Sequence, residues 1–206
     1  MKLYYTPGAC SIGIHVILEE IGKPYEAQSL NFKEQEQYAP AFKTINPKSK
    51  VPTLVRDDGS VLTEFPAIAY FLARSNPGAG LWPEDLDAQA RALEAMDYAV
   101  STMHMQGFAR IVRPNNFAPN AADEEKVKAR GQEVFLKGFD LLEKALAGRE
   151  YVAGRFSIAD TALFYVEWWA AKRLKLTLPP NCAAHLERML ARPAVQRVMQ
   201  QEGLAA

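Results

Sequence analysis

The sequence predicts an α/β domain over residues 1–77 and an all-helical domain over residues 87–206, joined by a linker at residues 78–86. Three observations predict this division. The first thirty residues switch between strand and helix periodicity, a hairpin and a helix follow them, and Asn76–Pro83 is the densest run of proline and glycine in the chain. Beyond that run the apolar spacing is purely helical.

The first part of the α/β domain is expected to run strand, helix, strand. Lys2–Tyr5 is aromatic and apolar, which favours a strand. The apolar period that follows Cys10 favours a helix, and Gly22 suits its C-terminal cap. Tyr25–Leu30 alternates like a second strand, and the polar stretch 34–44 predicts a short helix or an irregular loop.

The second part of this domain is expected to be a hairpin and a helix. Val51–Arg56 and Val61–Thr63 flank an Asp-Gly turn, which is a strong hairpin signal. Thr63 and Glu64 are expected to cap a helix that runs to Arg74. The predicted order of elements is therefore β-α-β-α-β-β-α.

Two long helices are expected to open the second domain. The first begins near Asp87, and the second runs from about Asp123 to Leu146. Their apolar spacings predict buried faces. These faces are Leu93, Met96, Val100, Met103 and Gly107 in the first helix, and Val127, Val134, Leu141 and Leu142 in the second.

The remainder of the chain predicts a central helix and two short ones. Ser157 and Asp160 have the spacing of a capping box, and the segment from there to about Arg173 is apolar nearly all round. Such a helix is expected at the centre of a bundle. Short helices are expected at 184–191 and 193–201.

Composition and charge exclude several classes of function. Lysine plus arginine and aspartate plus glutamate both total 24, so the chain has no excess of positive charge for nucleic acid or an anionic membrane. The sequence shows neither a membrane-spanning run nor a signal-peptide pattern, which predicts a cytoplasmic protein. Cys10 and Cys182 are expected to remain free thiols, and no metal-ligand spacing is present.

Cys10 is the first candidate for chemistry. It lies in a Pro-Gly-Ala turn that leads into a helix, where free N–H groups and the helix dipole stabilise a thiolate, the reactive form of cysteine. The alternative is a small buried thiol that fills space. The second candidate is His104, which follows Asp97 and Ser101 at helical spacing. An imidazole there could move protons, or the three could form a solvated helix face.

These motifs together resemble the cytosolic glutathione S-transferases, and among them the bacterial, beta-like type. The resemblance rests on motifs in the order and spacing of that family over nearly the whole chain. They are Lys2-Leu3-Tyr4-Tyr5, Pro7-Gly8-Ala9-Cys10-Ser11, Asn46-Pro47, Val51-Pro52, Leu62-Thr63-Glu64, Met103-His104 and Phe156-Ser157-Ile158-Ala159-Asp160. The resemblance implies a thioredoxin-like domain, a helical domain, a homodimer, and glutathione as a co-substrate without any other cofactor.

The resemblance also implies roles for individual residues. Catalysis would involve Cys10, His104, Tyr5 and Ser11. Glutathione would contact Cys10, Lys33, Val51, cis-Pro52, Glu64, Phe65, Asp97, Ser101 and His104. A small hydrophobic electrophile would contact Met105, Phe108, Ile111 and either Trp168 or Trp169. At such spacing an apolar stripe is more often core.

Three functions remain open at this point. The first is conjugation of glutathione to hydrophobic electrophiles, a detoxification reaction. The second is thiol–disulfide exchange or reductive dehalogenation through a mixed disulfide of Cys10. The third is a non-catalytic binding protein, because Phe65 replaces the family's usual serine or glycine. Ser49, which replaces a frequent loop glycine, also bears on glutathione affinity.

Overall fold

The structure is a computed structural model that describes residues 1–204, and its chain forms two compact units. The first unit contains residues 1–82 together with the C-terminal segment from Arg188, and the second contains Pro83–Glu187. The division at Trp82 falls in the expected proline- and glycine-rich stretch. At the C-terminal end the units differ from the expected domains, because the last helix packs against the first one and so joins the first unit.

A four-stranded mixed sheet forms the centre of the first unit, in the order β2-β1-β3-β4. Its strands are β1 (Lys2–Tyr5), β2 (Glu26–Ser29), β3 (Thr53–Val55) and β4 (Val61–Thr63). β2 is parallel to β1, whereas β3 is antiparallel to both β1 and β4. The expected βαβ start and hairpin are therefore confirmed, and Gly59 in the hairpin turn has a φ of 80°.

Four helices belong to the first unit in full: α1 (Ser11–Ile21), α2 (Pro40–Ile45), α3 (Phe65–Ser75) and α9 (Pro193–Gln201). α1 ends at Gly22 in the left-handed conformation, as expected. The expected side-chain cap of α3 is wrong. Glu64 is the N-cap residue with a φ of 71°, but its carboxylate accepts a hydrogen bond from the Lys48 ammonium rather than from the helix.

The second unit opens with α4 (Leu86–Asp97), which continues as wider π-helical turns over Tyr98–Phe108 and then as α5 (Ala109–Val112). The expected apolar stripe begins on α4, before the π turns, and extends into them. Met96 and Met103 are fully buried as expected, but Leu93 is 42% exposed. The sequence period of 3.6 residues therefore places only part of this stripe correctly.

α6 (Glu124–Ala145) runs alongside the π-helical segment. Its buried face consists of Gly131, Phe135, Gly138, Phe139 and Leu142. The expectation for Leu141 is wrong, since this side chain is 44% exposed. Two glycines on this face permit close helix packing, because a Cβ at Gly138 would lie 2.6 Å from the Met103 side chain.

α7 (Ile158–Trp168) is buried along its entire length, as the apolar composition predicts. The capping box at its start is confirmed, with both Ser157 and Asp160 satisfying backbone N–H groups. The helix continues as π turns over Trp169–Arg173, and α8 spans Pro180–Ala191. Within residues 1–204 no helix combines the length and apolar character that crossing a bilayer requires.

Candidate functional site: a thiol at a helix N-terminus

The turn that carries Cys10 is fixed by several short contacts. Backbone N–H of Ala9 donates to the Thr6 carbonyl at 2.9 Å, and the Thr6 hydroxyl donates to the carbonyl of Leu30. The Ser11 hydroxyl lies 3.2 Å from Thr6 N and 3.4 Å from Thr6 O, so it accepts from one and donates to the other. Ser11 is fully buried, and its hydroxyl is committed to the turn.

A carboxylate from the far end of the chain also holds this turn. Glu202, just after α9, accepts a hydrogen bond from Gly8 N–H at 2.8 Å and contacts His15 Nδ1 at 2.9 Å. The side chains of both Glu202 and His15 are essentially inaccessible to solvent. Gly8 has a φ of 67°, which glycine adopts readily, so its N–H can face the carboxylate.

Cys10 itself is half-buried and is the N-cap residue of α1, as expected. Its Sγ lies 3.5 Å from the carbonyl oxygen of Val51, a distance at which the S–H can donate. The Val51–Pro52 bond is cis, as the family resemblance implied. The structure therefore brings together the thiol, the helix N-terminus and the backbone beside Pro52.

The acidic candidate Glu64 lies on the surface at the start of α3. Its carboxylate is 2.6 Å from the ammonium of Lys48, a residue that the sequence analysis did not single out. Phe65 is 4% exposed, so its ring is packed into the core rather than standing over the helix N-terminus. Ser49 adopts a φ of 55°, the conformation for which glycine is the usual choice.

Lys33 and Tyr5 occupy less central positions. Lys33 is exposed on the connector after β2. Tyr5 packs against the His15 ring with 5.0 Å between centroids and lines a groove of about 720 Å³, also lined by Tyr25. Burial and the nearby Glu202 raise the pKa of Tyr5, so its phenol stays neutral. Among the described residues, Cys10 is not part of this groove's lining.

His104 lies on the π-helical segment of the second unit and is half-buried. Its Nδ1 is 3.4 Å from the hydroxyl of Tyr165, and its ring meets that of Trp169 edge-on at 4.7 Å. Asp97 and Ser101 are exposed on the same helix. Sequence reasoning missed Tyr165 because it lies 61 residues away in the chain.

The four apolar candidates differ in exposure. Met105 is 36% exposed and Ile111 is half-buried. Phe108 is 3% exposed and Trp168 is 7% exposed, so both belong largely to the core of the second unit. Phe108 stacks on Trp169 at 4.2 Å between ring centroids.

These features define a class of protein: a thioredoxin-like domain with a thiol at a helix N-terminus, followed by a helical domain. Residues 8–75 match the family model described as glutathione S-transferase, N-terminal domain. Residues 125–188 match the one described as glutathione S-transferase, C-terminal domain. The chain belongs to the glutathione S-transferase family.

Individual relatives agree with this assignment. The chain is 36% identical to glutathione S-transferase GstA of Escherichia coli O157:H7, covering 99% of this chain and 100% of that one. A glutathione transferase homologue from Sulfitobacter, crystallised with bound glutathione, superposes with a TM-score of 0.89 at 32% identity, covering 99% and 98% of the two chains. A beta-class enzyme from Sphingomonas chungbukensis gives 0.83 at 31% identity, covering both chains in full.

Proposed function

We propose that this glutathione S-transferase conjugates glutathione to small hydrophobic electrophiles. One observation carries the proposal: the Cys10 thiol lies at the N-terminus of α1 and 3.5 Å from the carbonyl of Val51, beside cis-Pro52. An extended peptide can pair with an outward-facing backbone segment like an added strand. The cysteine of glutathione, paired with Val51, would then place its sulfur close to Cys10.

The ends of the tripeptide would bind groups that flank this backbone. The γ-glutamyl ammonium would bind Glu64, and the γ-glutamyl carboxylate would accept from N–H groups at the start of α3, including that of Phe65. The Phe65 ring itself is buried in the core. Lys33 is the candidate for the glycine carboxylate. The Lys48 ammonium now at Glu64 would have to share that carboxylate with the ligand.

The chemistry would centre on the sulfur of glutathione. The N–H groups and positive dipole end of α1 stabilise a thiolate at this position, and Cys10 can donate its S–H to that thiolate instead of to Val51. From the second unit, His104, Asp97 and Ser101 would contact glutathione, and Met105 and Ile111 would contact the electrophile. Phe108 and Trp168 would support that apolar surface from the core.

Two measurements test the proposal. Isothermal titration of the protein with glutathione to millimolar concentration should give a saturable heat, and 1-chloro-2,4-dinitrobenzene should be conjugated under the same conditions. S-methylglutathione is the matched control, since it keeps the peptide contacts but has no thiol to react. Absence of both heat and turnover would refute the enzyme function and leave the third possibility, a binding protein.

Thiol–disulfide exchange is the second candidate, favoured by the accessible position of Cys10. The Cys10 thiolate would attack a disulfide RS–SR′, forming Cys10–S–S–R and releasing R′S⁻. A glutathione thiolate would then release RS⁻ and form Cys10–S–S–glutathione, and a second glutathione would give oxidised glutathione and restore the Cys10 thiolate. If Cys10→Ala keeps conjugation but loses disulfide reduction, Cys10 is the redox residue and not the conjugating centre.

The proposal also includes the cellular location and the oligomeric state of the enzyme. We expect a cytoplasmic homodimer that removes reactive electrophiles, as the family resemblance implies. Light scattering coupled to size exclusion should give twice the mass of the 22.9 kDa chain. A monomeric mass with full conjugating activity would remove the dimer from the proposal without affecting the chemistry.

A further inference from the structure

The loop that precedes cis-Pro52 is held in place by the side chain of Asn46. Asn46 is 1% exposed, and its amide nitrogen donates to the carbonyl of Lys50 at 2.9 Å and to the hydroxyl of Thr53 at 2.8 Å. Its amide oxygen accepts from the backbone N–H of Lys48 at 3.0 Å. Asn46 therefore fixes the backbone of Lys48 relative to the segment that contains cis-Pro52.

Glu64 is also held by its backbone, at the start of α3. It has a φ of 71°, and its carbonyl accepts from the N–H of Ile68 at 3.0 Å in the first turn of that helix. A residue other than glycine keeps a positive φ only where the surrounding structure holds it there. The side chain of Glu64 therefore extends from a fixed point beside the N-terminus of α3.

The two side chains meet in an ion pair between these elements. Lys48 Nζ donates to Glu64 Oε1 at 2.6 Å and to the Thr63 hydroxyl at 2.9 Å. The side chains of Lys48 and Glu64 are 51% and 61% exposed, so a ligand can reach the carboxylate and the ammonium can move into solvent. Exposed pairs of this kind contribute little free energy, so a competing cation can replace Lys48.

We propose that Lys48 is a specificity-determining residue, because its ammonium occupies the position on Glu64 that the γ-glutamyl ammonium of glutathione would take. The inference rests on the proposed function. When glutathione binds, its ammonium gains a contact with Glu64 and Lys48 loses one, so the two changes largely cancel. Lys48 therefore weakens the preference of the site for peptide thiols that have this ammonium over peptide thiols that have only the neighbouring carboxylate.

Calorimetric titration with two peptides measures this preference. One is glutathione, and the other is glutaryl-cysteinylglycine, in which hydrogen replaces the ammonium. Lys48→Met keeps the length of the side chain and removes its charge. It should bind glutathione about 1.5- to 5-fold more tightly than wild type, the range for one exposed ion pair, and should not bind the glutaryl peptide more tightly. Lys2→Met, which breaks the exposed pair with Glu26 at 3.8 Å, is the matched control and should resemble wild type with both peptides.

The remaining outcomes separate this inference from the proposed function. In a Glu64→Gln background, Lys48→Met should no longer tighten the binding of glutathione, because the carboxylate for which the two ammonium groups compete is absent. Equal or weaker binding of glutathione by Lys48→Met would overturn the inference and leave the proposed function intact. Tighter binding of both peptides would also overturn it, since the effect would then not depend on the ligand ammonium. If neither wild type nor any variant binds glutathione at millimolar concentration, the proposed function fails and the role of Lys48 fails with it.

Discussion

The two cysteines of this chain occupy opposite kinds of environment. Cys10 is half-buried, is the N-cap of α1, and belongs to a turn in which Pro7 is exposed. Cys182 is fully buried near the start of α8, where its Sγ lies 3.9 Å from the carbonyl of Phe139. Burial and the carboxylates of Glu167 and Glu143 strongly raise the pKa of the Cys182 thiol.

The difference between these two environments shows what makes a thiol reactive. Both side chains have the same chemistry in an unfolded peptide, and each lies at the start of a helix. At Cys182 the surrounding carboxylates cancel any benefit from the helix dipole, because they disfavour a second negative charge. In the turn that carries Cys10, the carboxylate of Glu202 contacts Gly8 and His15. Position in a helix is therefore insufficient without the right electrostatic surroundings.

The largest effect is expected from alkylation of the two thiols. At pH 7.5 iodoacetamide should modify Cys10 at least about 100-fold faster than Cys182, because only the thiolate reacts and burial suppresses it at Cys182. Mass spectrometry of tryptic peptides measures both rates in one sample. Cys10→Ala should abolish glutathione-dependent disulfide reduction.

Cys182→Ala is the matched control for that variant. It should keep the catalytic rate while costing about 1 kcal/mol of unfolding free energy, since it removes one buried sulfur from the core. Comparable alkylation rates at Cys10 and Cys182 would contradict the expected difference in reactivity between the two thiols, and with it the argument for a function of Cys10.

The next effect concerns the charged cluster beside Cys182. His185 Nδ1 is 2.8 Å from Glu167 and its Nε2 is 3.3 Å from Asp160, and all three side chains are inaccessible to solvent. Burial lowers the pKa of His185, but the two carboxylates outweigh it and raise the pKa to about 10. Because the pKa of His185 is higher in the folded state than in the unfolded state, protonation of His185 stabilises the fold. This stabilisation is complete below the unfolded pKa of about 6.5 and is lost as the pH rises towards the folded pKa. The free energy of unfolding should therefore fall by several kcal/mol as the pH rises from 7 to 10.

Urea unfolding at pH 7, 8.5 and 10 measures this loss. Glu167→Gln removes one of the two carboxylates, so the pKa of His185 should fall and the loss of stability should begin at lower pH. Activity of the remaining folded protein, corrected for ionisation of glutathione, should not follow the same curve. A flat unfolding free energy between pH 7 and 10 would mean that His185 is neutral.

Local signals in the sequence account for what could be predicted. The Asp-Gly hairpin, the glycine that ends α1 and the Ser157–Asp160 capping box each depend on residues a few positions apart, and each is confirmed. The placement of Cys10 at the first turn of α1 follows from the same kind of signal.

Contacts between distant residues could not be predicted in this way. Gly8 and Glu202 are separated by 194 positions, and no local pattern identifies such a pair. Hydrophobic periodicity assigns Leu93 to the buried face of its helix, but α4 buries the neighbouring Ala92 and leaves Leu93 42% exposed. The direction of the Phe65 ring could not be predicted either, because sequence does not give the direction of a side chain at a helix start; the ring is buried.

A smaller effect is expected from the carboxylate that braces the Cys10 turn. In Glu202→Gln the amide can accept from Gly8 or from His15 but presents a donor to the other, so one buried N–H loses its acceptor. The variant should lose about 1–3 kcal/mol of unfolding free energy, and Cys10 should be alkylated more slowly. Glu133→Gln, which removes an exposed ion pair with Arg130, should change stability by less than about 0.5 kcal/mol.

If Cys10 is alkylated at the same rate in Glu202→Gln and in wild type, the contacts of Glu202 with Gly8 and His15 do not affect the reactivity of the thiol. In that case Glu202 would serve the packing of α9 on α1, and the turn would be held well enough by its own contacts. The measurement therefore decides whether the C-terminal segment contributes to chemistry or to stability alone.

The smallest effect is expected at Ser11, which separates a catalytic role from a structural one. Its buried hydroxyl bonds both N and O of Thr6, so Ser11→Ala should cost about 1 kcal/mol and slow Cys10 alkylation less than about threefold. Ser75→Ala, an exposed hydroxyl on the Phe71 carbonyl, controls for hydroxyl loss in general. If Ser11→Ala instead lowers conjugation about 100-fold at unchanged stability and glutathione affinity, Ser11 contacts the reacting sulfur. Two adjacent side chains of the turn, Cys10 and Ser11, would then take part in catalysis. The difference in reactivity between Cys10 and Cys182 would then depend on the whole turn rather than on the thiol alone.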